Sequence, residues 1–437
     1  MFEQITRRFI CTGYLAIILS LTPICMITSF VIWLLGVERH PENRLPVSSR
    51  RKILVCGDTA TKAIHIIRML GKAGHTVIII DWMGWWSVLR WSKYVSKVYS
   101  VPRDREQYIT RVIEIALSEK VDCYIPVIKK DYAMADAQIG ELLSKKNIKC
   151  LVSDPRQIEK LDEKIDFMRM CKDFDLTVPS FVDEDDDIIR LAQDGLFRDR
   201  FFFFKPSSCS SLFRNSFERI PENITNLRVF MERFKGETFF AQEFIKGIEW
   251  SANLLSKEGK ILQLNISHSS PIQVDYDVVN NHRKITKWVT TFCRKLNLTG
   301  AVCFDFLEDE NGNIFCLECN PRFHSSLVTY NYCPEYERCL LSLLEDVDIT
   351  FPTPLQAGPN VFSYWLYQEL FRVLTFKRSI KDFVSILLHG REALWDGLDP
   401  VPFMMLNHVQ MSMSLVKHII SGEYWENVNF CLGRVMY

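Results

Sequence analysis

Thr299 to Ser325 reads TGAVCFDFLEDENGNIFCLECNPRFHS, and the fold turns on how this stretch bends. Asn311-Gly312 is the strongest short hairpin signal in the chain, with alternating residues on both sides. A two-residue loop at 311–312 sets the register and puts Asp305 directly opposite Glu318. Side chains alternate along a strand, so Ala301, Cys303 and Asp305 share a face with Cys316, Glu318 and Asn320. Val302, Phe304 and Phe306 share the other face with Phe315, Leu317 and Cys319. Two carboxylates held opposite each other, Cβ atoms about 5 Å apart, repel unless a cation sits between them. Asp305, Glu318 and Asn320 offer oxygen ligands only, and few of them. That suits magnesium, or manganese, held jointly with nucleotide phosphates, rather than zinc or a dedicated protein cage. The plainer alternative is an exposed acidic pair on a solvated sheet face. Cys316 and Cys319 mimic a zinc CxxC, but a strand should send them to opposite faces.

Working back from the hairpin, Phe201 to Lys205, Thr238 to Phe244, Ile248 to Leu255 and Lys260 to Ser267 read as strands. With the hairpin they indicate an α+β domain. Lys205 ends an apolar strand and is followed by Pro206-Ser207-Ser208-Cys209-Ser210-Ser211, whose backbone and hydroxyls can wrap an anion. A lysine at a strand end otherwise simply reaches for solvent. Gln242, Glu243, Phe244 and Ile245, then Glu249, form an extended run suited to adenine and ribose, or else an ordinary strand and turn.

Further upstream, Ile53 to Cys56, His75 to Asp81 and Val121 to Val127 are apolar runs separated by helix-period stretches at Thr61 to Lys72 and Tyr108 to Ser118. This β-α-β-α-β order predicts a parallel sheet with right-handed crossovers over residues 51 to 150. The turn after the first strand, Gly57 to Lys62, can cradle an anion at a helix start but lacks the dinucleotide fingerprint. A charged helix is expected from Ile158 to Phe174, and the acidic Asp183 to Asp187 reads as a surface turn or helix start rather than a metal site. The tryptophans at 82, 85, 86 and 91 read as packing.

The chain has 437 residues and balances 53 basic against 53 acidic side chains, which gives no electrostatic reason to expect nucleic acid as a partner. Its 14 cysteines lack a framework spacing and read as reduced thiols. Phe9 to Val37 carries no charge and as a helix would reach roughly 43 Å, more than the ~30 Å of a bilayer core. The expectation is one transmembrane helix, with Arg39, Arg44, Arg50, Arg51 and Lys52 placing the rest in the cytoplasm. Deleting residues 1 to 44 should then release a soluble protein. Val361 to Leu374, Ile380 to Leu388 and Phe403 to Ile420 predict an accessory helical region that packs on the body, or else lies on the bilayer.

Taken in order, Lys164, Lys205, Gln242 to Ile245, Glu249, Asp305 and Glu318-Cys319-Asn320-Pro321-Arg322 resemble the ATP-grasp superfamily. The resemblance covers 151–345 as an ATP-grasp domain and fits the α/β domain (51–150) before it, while the apolar start and the C-terminal periodicity add an N-terminal anchor and linker (1–50) and a helical extension (346–437). It implies that Lys164 and Lys205, with Ser207, Ser208 and Ser210, hold phosphates. Gln242, Glu243, Phe244 and Ile245 would hold adenine, Glu249 ribose, and Asp305, Glu318 and Asn320 magnesium. Arg322 and Lys205 would be catalytic. Gly57, Thr61, Lys129, Arg322, His324 and Ser325 would line the acceptor site. A narrower resemblance, to the ATP-grasp ligases of mycosporine biosynthesis, rests on Thr61-Lys62-Ala63, Ile272 to Tyr276, Glu318 to Ser325, Ser363 to Glu369 and Leu398 to Phe403. It implies that ATP activates a cyclohexenone enol resembling 4-deoxygadusol and that glycine then displaces phosphate. The chain departs from that pattern at Pro206 to Cys209 and at Ile128-Lys129-Lys130, beside the expected acceptor pocket. A carboxylate–amine ligase, or a nucleotide-binding module without ligase activity, are the competing expectations.

Overall fold

The computed structural model describes residues 2–35, 50–57, 60–83, 86–127, 132–207, 218–236, 238–269, 275–279, 282–331, 333–343, 354–357, 362–425 and 427–436. A long helix, α1 (Phe2–Leu35), precedes a five-stranded sheet made of β1 (Lys52–Gly57), β2 (Thr76–Asp81), β3 (Val95–Ser100), β4 (Cys123–Val127) and β5 (Lys149–Cys150). The order is β3-β2-β1-β4-β5 and every pairing is parallel. The sequence shows only three of these strands. β3 is a half-exposed edge strand without an apolar run, and β5 is two residues long, so neither leaves a periodic signal. Crossover helices α2 (Ala60–Lys72), α3 (Arg105–Ser118) and α4 (Ala133–Ser144) join the strands. Gly57 is required where β1 ends, because a Cβ there would lie 2.6 Å from that of Ala63 on α2.

The single helix expected at 158–174 is two, α5 (Pro155–Asp162) and α6 (Lys164–Asp173). Glu163 turns to φ −82°, ψ 116° between them, which places Lys164 in the first turn of α6. Next comes a small antiparallel sheet, order β6-β8-β7, of β6 (Phe181–Val182), β7 (Phe202–Pro206) and β8 (Phe239–Glu243). It is backed by α7 (Asp185–Gln193), α8 (Leu196–Asp199) and α9 (Ile224–Glu232) around Phe202, Phe204, Leu227 and Ala241.

The larger antiparallel sheet has the order β10-β9-β12-β13, from β9 (Gly247–Lys257), β10 (Lys260–His268), β12 (Gly300–Asp309) and β13 (Ile314–Asn320). One face is covered by α10 (Arg283–Leu296), whose Ile285, Trp288, Val289 and Phe292 meet Phe304 and Phe306. The other face carries the site. After α11 (Pro334–Ser342) the C-terminal region is helical but also contains short strands. β11 (Asp275–Asp277), β14 (Phe362–Tyr364) and β15 (Arg391–Glu392) form one sheet, and β16 (Asn427–Asn429) pairs with β17 (Arg434–Met436). Its helices are α12 (Leu366–Leu374), α13 (Ile380–His389), and α14 (Val401–Met404) continuing through a π turn at 405–410 into α15 (Met411–Ser421).

Among the described residues α1 is the one helix long and apolar enough to cross a membrane. It does not stand free, because Cys11 and Ile18 are buried in the core that also holds Phe371, Phe403 and Leu415. Removing residues 1 to 44 would uncover part of that core. Every described cysteine is a free thiol. Of the tryptophans, Trp82 packs on Tyr108 and Tyr132, whereas Trp86 is exposed; Trp85 lies outside the described residues.

Candidate active site

The hairpin brings Asp305 opposite Glu318, with Cys303 opposite Asn320. The turn that does so differs from the one expected. Gly312 alone adopts a left-handed φ, 72°, and Asp309 organises the bend. Its carboxylate accepts from the N–H groups of Asn311 and Asn313, and its carbonyl from that of Gly312. A two-residue type I′ loop needs positive φ at both central residues, and Asn311 lacks it. The longer loop shifts the pairing by one residue, so Glu308 faces Ile314. A bulge at Leu317 then shifts it back before Asp305 is reached. That bulge also turns Cys316 onto the helix-covered face with Phe306 and Cys319. The expectations that Cys316 shares the acidic face, and that the two thiols point apart, are both corrected. The pair stays inside an apolar cluster.

Around the acids the polar groups interlock. Ser251 Oγ donates to Asp305 Oδ1 at 2.9 Å, and Asn320 Nδ2 donates to Asp305 Oδ2 at 3.0 Å and to Glu318 Oε1 at 3.3 Å. Arg322 donates to Asn320 Oδ1 at 2.8 Å. Lys164 Nζ lies 3.5 Å from Glu318 Oε2, and the lysine is only 4% exposed. No cluster of three His, Cys, Asp or Glu side chains exists among the described residues. Two acids and an amide therefore cannot form a closed cage. They fit a cation that completes its shell with phosphate and water. Arg322 Nη1 is buried without a hydrogen-bond partner, an orphaned donor where a transferring anionic group would sit.

The two sheets supply the rest of a nucleotide cleft. Phe203 is opposite Gln242 and Lys205 opposite Phe240, so Phe203, Lys205 and Gln242 share the face away from the Phe202–Phe204–Ala241 cluster. Gln242 is 1% exposed, and neither atom of its amide is satisfied. A buried amide with no partner is expensive, and an adenine edge is the kind of ligand that satisfies it. Glu243 is held by Arg200 in an ion pair, Phe244 is exposed against Phe201, and Ile245 is half-buried in the link to β9. Glu249 is exposed at the open end of β9, on the face it shares with Ser251 and Asn253. Ser207 Oγ donates to Glu163 at 2.9 Å, and its carbonyl accepts from the Lys164 N–H. Ser208, Ser210 and Lys129 lie outside the described residues.

Beyond the acids, Arg322, Pro321 and Ala301 line a small cleft with Pro126, Asp136 and Ser153. Burial pushes the Asp136 carboxyl up to about 7, while Tyr108 and Tyr124 donate to it. His324 is held down to about 3 by burial, with the charges of Lys62 and Arg322 adding to the effect. It is neutral at physiological pH, and its Nδ1 is occupied by Ser326, so it is a poor base. Ser325 is buried against the Tyr276 hydroxyl at 2.5 Å. Thr61 is buried and tied to the C-terminal region by donating to Cys431 O at 2.7 Å. Gly57 serves helix packing.

Sequence reading passed over Ser251, Glu163 and a polar row, and gave Lys62 only as part of the turn after β1. Lys62 donates to Phe323 O at 2.9 Å, fixing the loop that carries Arg322. Ser251 and Asn253 on β9 face Ser267 and Asn265 on β10, all buried on the acidic face. Polar residues at period two inside otherwise apolar strands were the available signal.

This pairing of a small and a large antiparallel sheet, with a parallel-sheet domain before it, is the ATP-grasp fold. The family profile described as "ATP-grasp domain" matches residues 216–326. Among solved structures, the biotin carboxylase domain of Hydrogenobacter thermophilus 2-oxoglutarate carboxylase, bound to MgADP, ADP and bicarbonate, superposes with a TM-score of 0.56. It is 14% identical, over 72% of this chain and 74% of that one. N5-carboxyaminoimidazole synthetase from Staphylococcus aureus with ADP gives 0.52 at 15% identity, over 68% and 78%. Biotin carboxylase from Campylobacter jejuni gives 0.54 at 14% identity, over 70% and 73%. A search of curated proteins by sequence returns no match.

Proposed function

We propose that the chain is an ATP-dependent ligase that phosphorylates an enolate or carboxylate oxygen and joins the activated group to an amine. The observation that carries this is the opposed Asp305–Glu318 pair, bridged by Asn320 and flanked by Lys164 and the unsatisfied Arg322 nitrogen. Such a pair has no structural use that an apolar pair would not serve better. Magnesium on Asp305, Glu318 and Asn320 would neutralise the triphosphate. Lys164 and Lys205 bind its oxygens, and Gln242 to Ile245 and Glu249 hold the nucleoside. Arg322 steadies the group in transfer, so that catalysis is positioning and charge stabilisation.

For the acceptor, the proposal is a cyclohexenone enol like 4-deoxygadusol with glycine, giving a product like mycosporine-glycine. The support is the set of matching segments at 318–325, 363–369 and 398–403. Attachment to a membrane through α1, with the body in the cytoplasm where ATP is, belongs to the same proposal. A second reading, a carboxylate–amine ligase, is favoured by the likeness to N5-carboxyaminoimidazole synthetase. The test is ADP release with MgATP across a panel of acids and enols, with and without glycine, and mass analysis of products. Release only with a carboxylate would select the second reading. Release that ignores every amine would refute both and leave a phosphotransferase, and no turnover with nucleotide still bound would leave a binding module.

A further inference from the structure

α1 is fastened lengthwise to the body. Arg7 donates to Trp425 O, and Arg8 to Ile420 O at 3.4 Å. Tyr14 lies on Phe371 with ring centroids 3.7 Å apart. Thr22 Oγ1 is 2.8 Å from His408 Nδ1, and Cys25 Sγ is 3.3 Å from the Tyr367 hydroxyl. These residues recur at the three-to-four spacing of one helix face, while Thr12 and Ser20, on the exposed side, bond back to their own helix at Arg8 O and Ile17 O. The opposite face is bare, with Phe9 79%, Ile27 64%, Phe30 59% and Leu34 61% exposed.

A helix that crossed a bilayer would take its partners with it. α12, clamped on Tyr14, carries Glu369 and Arg372, which are locked with Arg378 and Asp275 in a four-residue ion network. Charges of that kind are costly in hydrocarbon. They have no reason to be there when one side of α1 is already packed on protein and the other is left bare.

A second bare surface begins one turn beyond Phe371. Phe376 is 96% exposed in a left-handed conformation (φ 58°), a strained position for an aromatic residue with nothing packed on it. α13 follows with no buried residue, and Ile380 and Leu388 are 71% and 73% exposed. Exposed Arg8, Lys377 and Lys381 border these patches, which matches the negative surface of a leaflet containing anionic lipid.

We infer that the protein is held on one face of a lipid bilayer, with α1 lying in the plane of the leaflet rather than across it and Phe376 with α13 as a second anchor. A helix bound in this way sinks its exposed apolar side to the acyl boundary, and here the body of the protein takes the place of water on the other side. The inference shares with the proposed function only that α1 meets lipid, and it is independent of the ligase reaction.

The test uses the full chain with an epitope tag ahead of Met1, made in cells from which sealed membrane vesicles are prepared with the cytoplasmic face outward. Added protease should remove the tag together with the body. A protected tag would establish a span and overturn the in-plane inference while leaving membrane attachment intact. In parallel, purified protein is titrated with vesicles of phosphatidylcholine and phosphatidylglycerol. Phe376→Asp with Leu388→Asp should weaken binding by about tenfold or more, as expected when two deeply placed apolar side chains are lost, with unchanged circular dichroism. Unchanged affinity overturns the second anchor. Failure of the parent to bind either membrane, with a stable dimer in its place, would show that a second copy covers these faces and would sink attachment altogether.

Discussion

Replacing Asp305 by asparagine should make the nucleotide-free protein more stable while abolishing its response to nucleotide. Directly opposed strand residues have Cβ atoms about 5 Å apart, and at an effective dielectric of about 20 two carboxylates at that spacing repel by roughly 3 kcal/mol. Against this, Asp305 accepts two hydrogen bonds, from Ser251 at 2.9 Å and Asn320 at 3.0 Å. A side-chain amide keeps one oxygen acceptor, so giving up the second bond costs about 1 kcal/mol. Both acids are partly exposed, and solvent screening trims the repulsion, leaving a net gain of about 1 kcal/mol. In a chain of 437 residues, with about 2.1 cal/mol/K of unfolding entropy per residue, that is a rise of about 1 °C in Tm. The assay is thermal unfolding with and without MgADP, followed by amine-dependent ADP release. The parent should gain stability from MgADP and the variant should not, and turnover should fall by about 100-fold or more. A variant that is less stable without nucleotide yet still responds to MgADP would show that Asp305 is structural. Undiminished turnover in both Asp305→Asn and Glu318→Gln would end the assignment of the metal ligands.

Gln242→Leu removes a buried amide with no partner, so the free protein should gain about 1–3 kcal/mol. KM for ATP should rise about tenfold with kcat little changed, because this side chain binds ground state and transition state alike; a loss confined to kcat would contradict the adenine role. Asp136 has its folded-state carboxyl raised from 3.8 to about 7. The native state therefore holds an extra proton between those values, and stability from this group falls as pH rises through that window, by about 1.4 kcal/mol per pH unit. Asp136→Asn should flatten the fall, so urea midpoints of parent and variant diverge between about pH 5 and 7.5, and parallel profiles would rule the effect out. Gly247→Ala should cost about 3 kcal/mol, since a Cβ there would meet the Glu308 carbonyl oxygen at 2.1 Å; a normal melting curve would mean that β9 and β12 can part freely.

The chain's local chemistry was legible wherever a regular period governs it. Alternation along 300–320 put Asp305, Glu318 and Asn320 on one face, and apolar runs marked β1, β2 and β4, because burial on a sheet imposes those patterns on the residues themselves. The Asp305–Glu318 pairing was reached from a turn that does not form. A longer loop and the Leu317 bulge each shift the register by one, in opposite senses. A bulge depends on what a strand meets across the sheet, and no single-strand pattern encodes it. The break at Glu163, which aims Lys164 at Glu318, depends likewise on contacts of α6 with the distant β13.

Composition alone marked 9–37 as apolar enough to meet lipid. Which side of α1 is left bare was settled by Tyr14, Thr22 and Cys25 finding partners more than 300 residues away. The unsatisfied amide of Gln242 and nitrogen of Arg322 belong to the same class, since burial without a partner exists only once the chain has closed around them. Residue type and order thus determined which groups have nucleotide chemistry. Tertiary packing decided which of them converge, because hydrogen bonds and burial are set by neighbours in space and not along the chain.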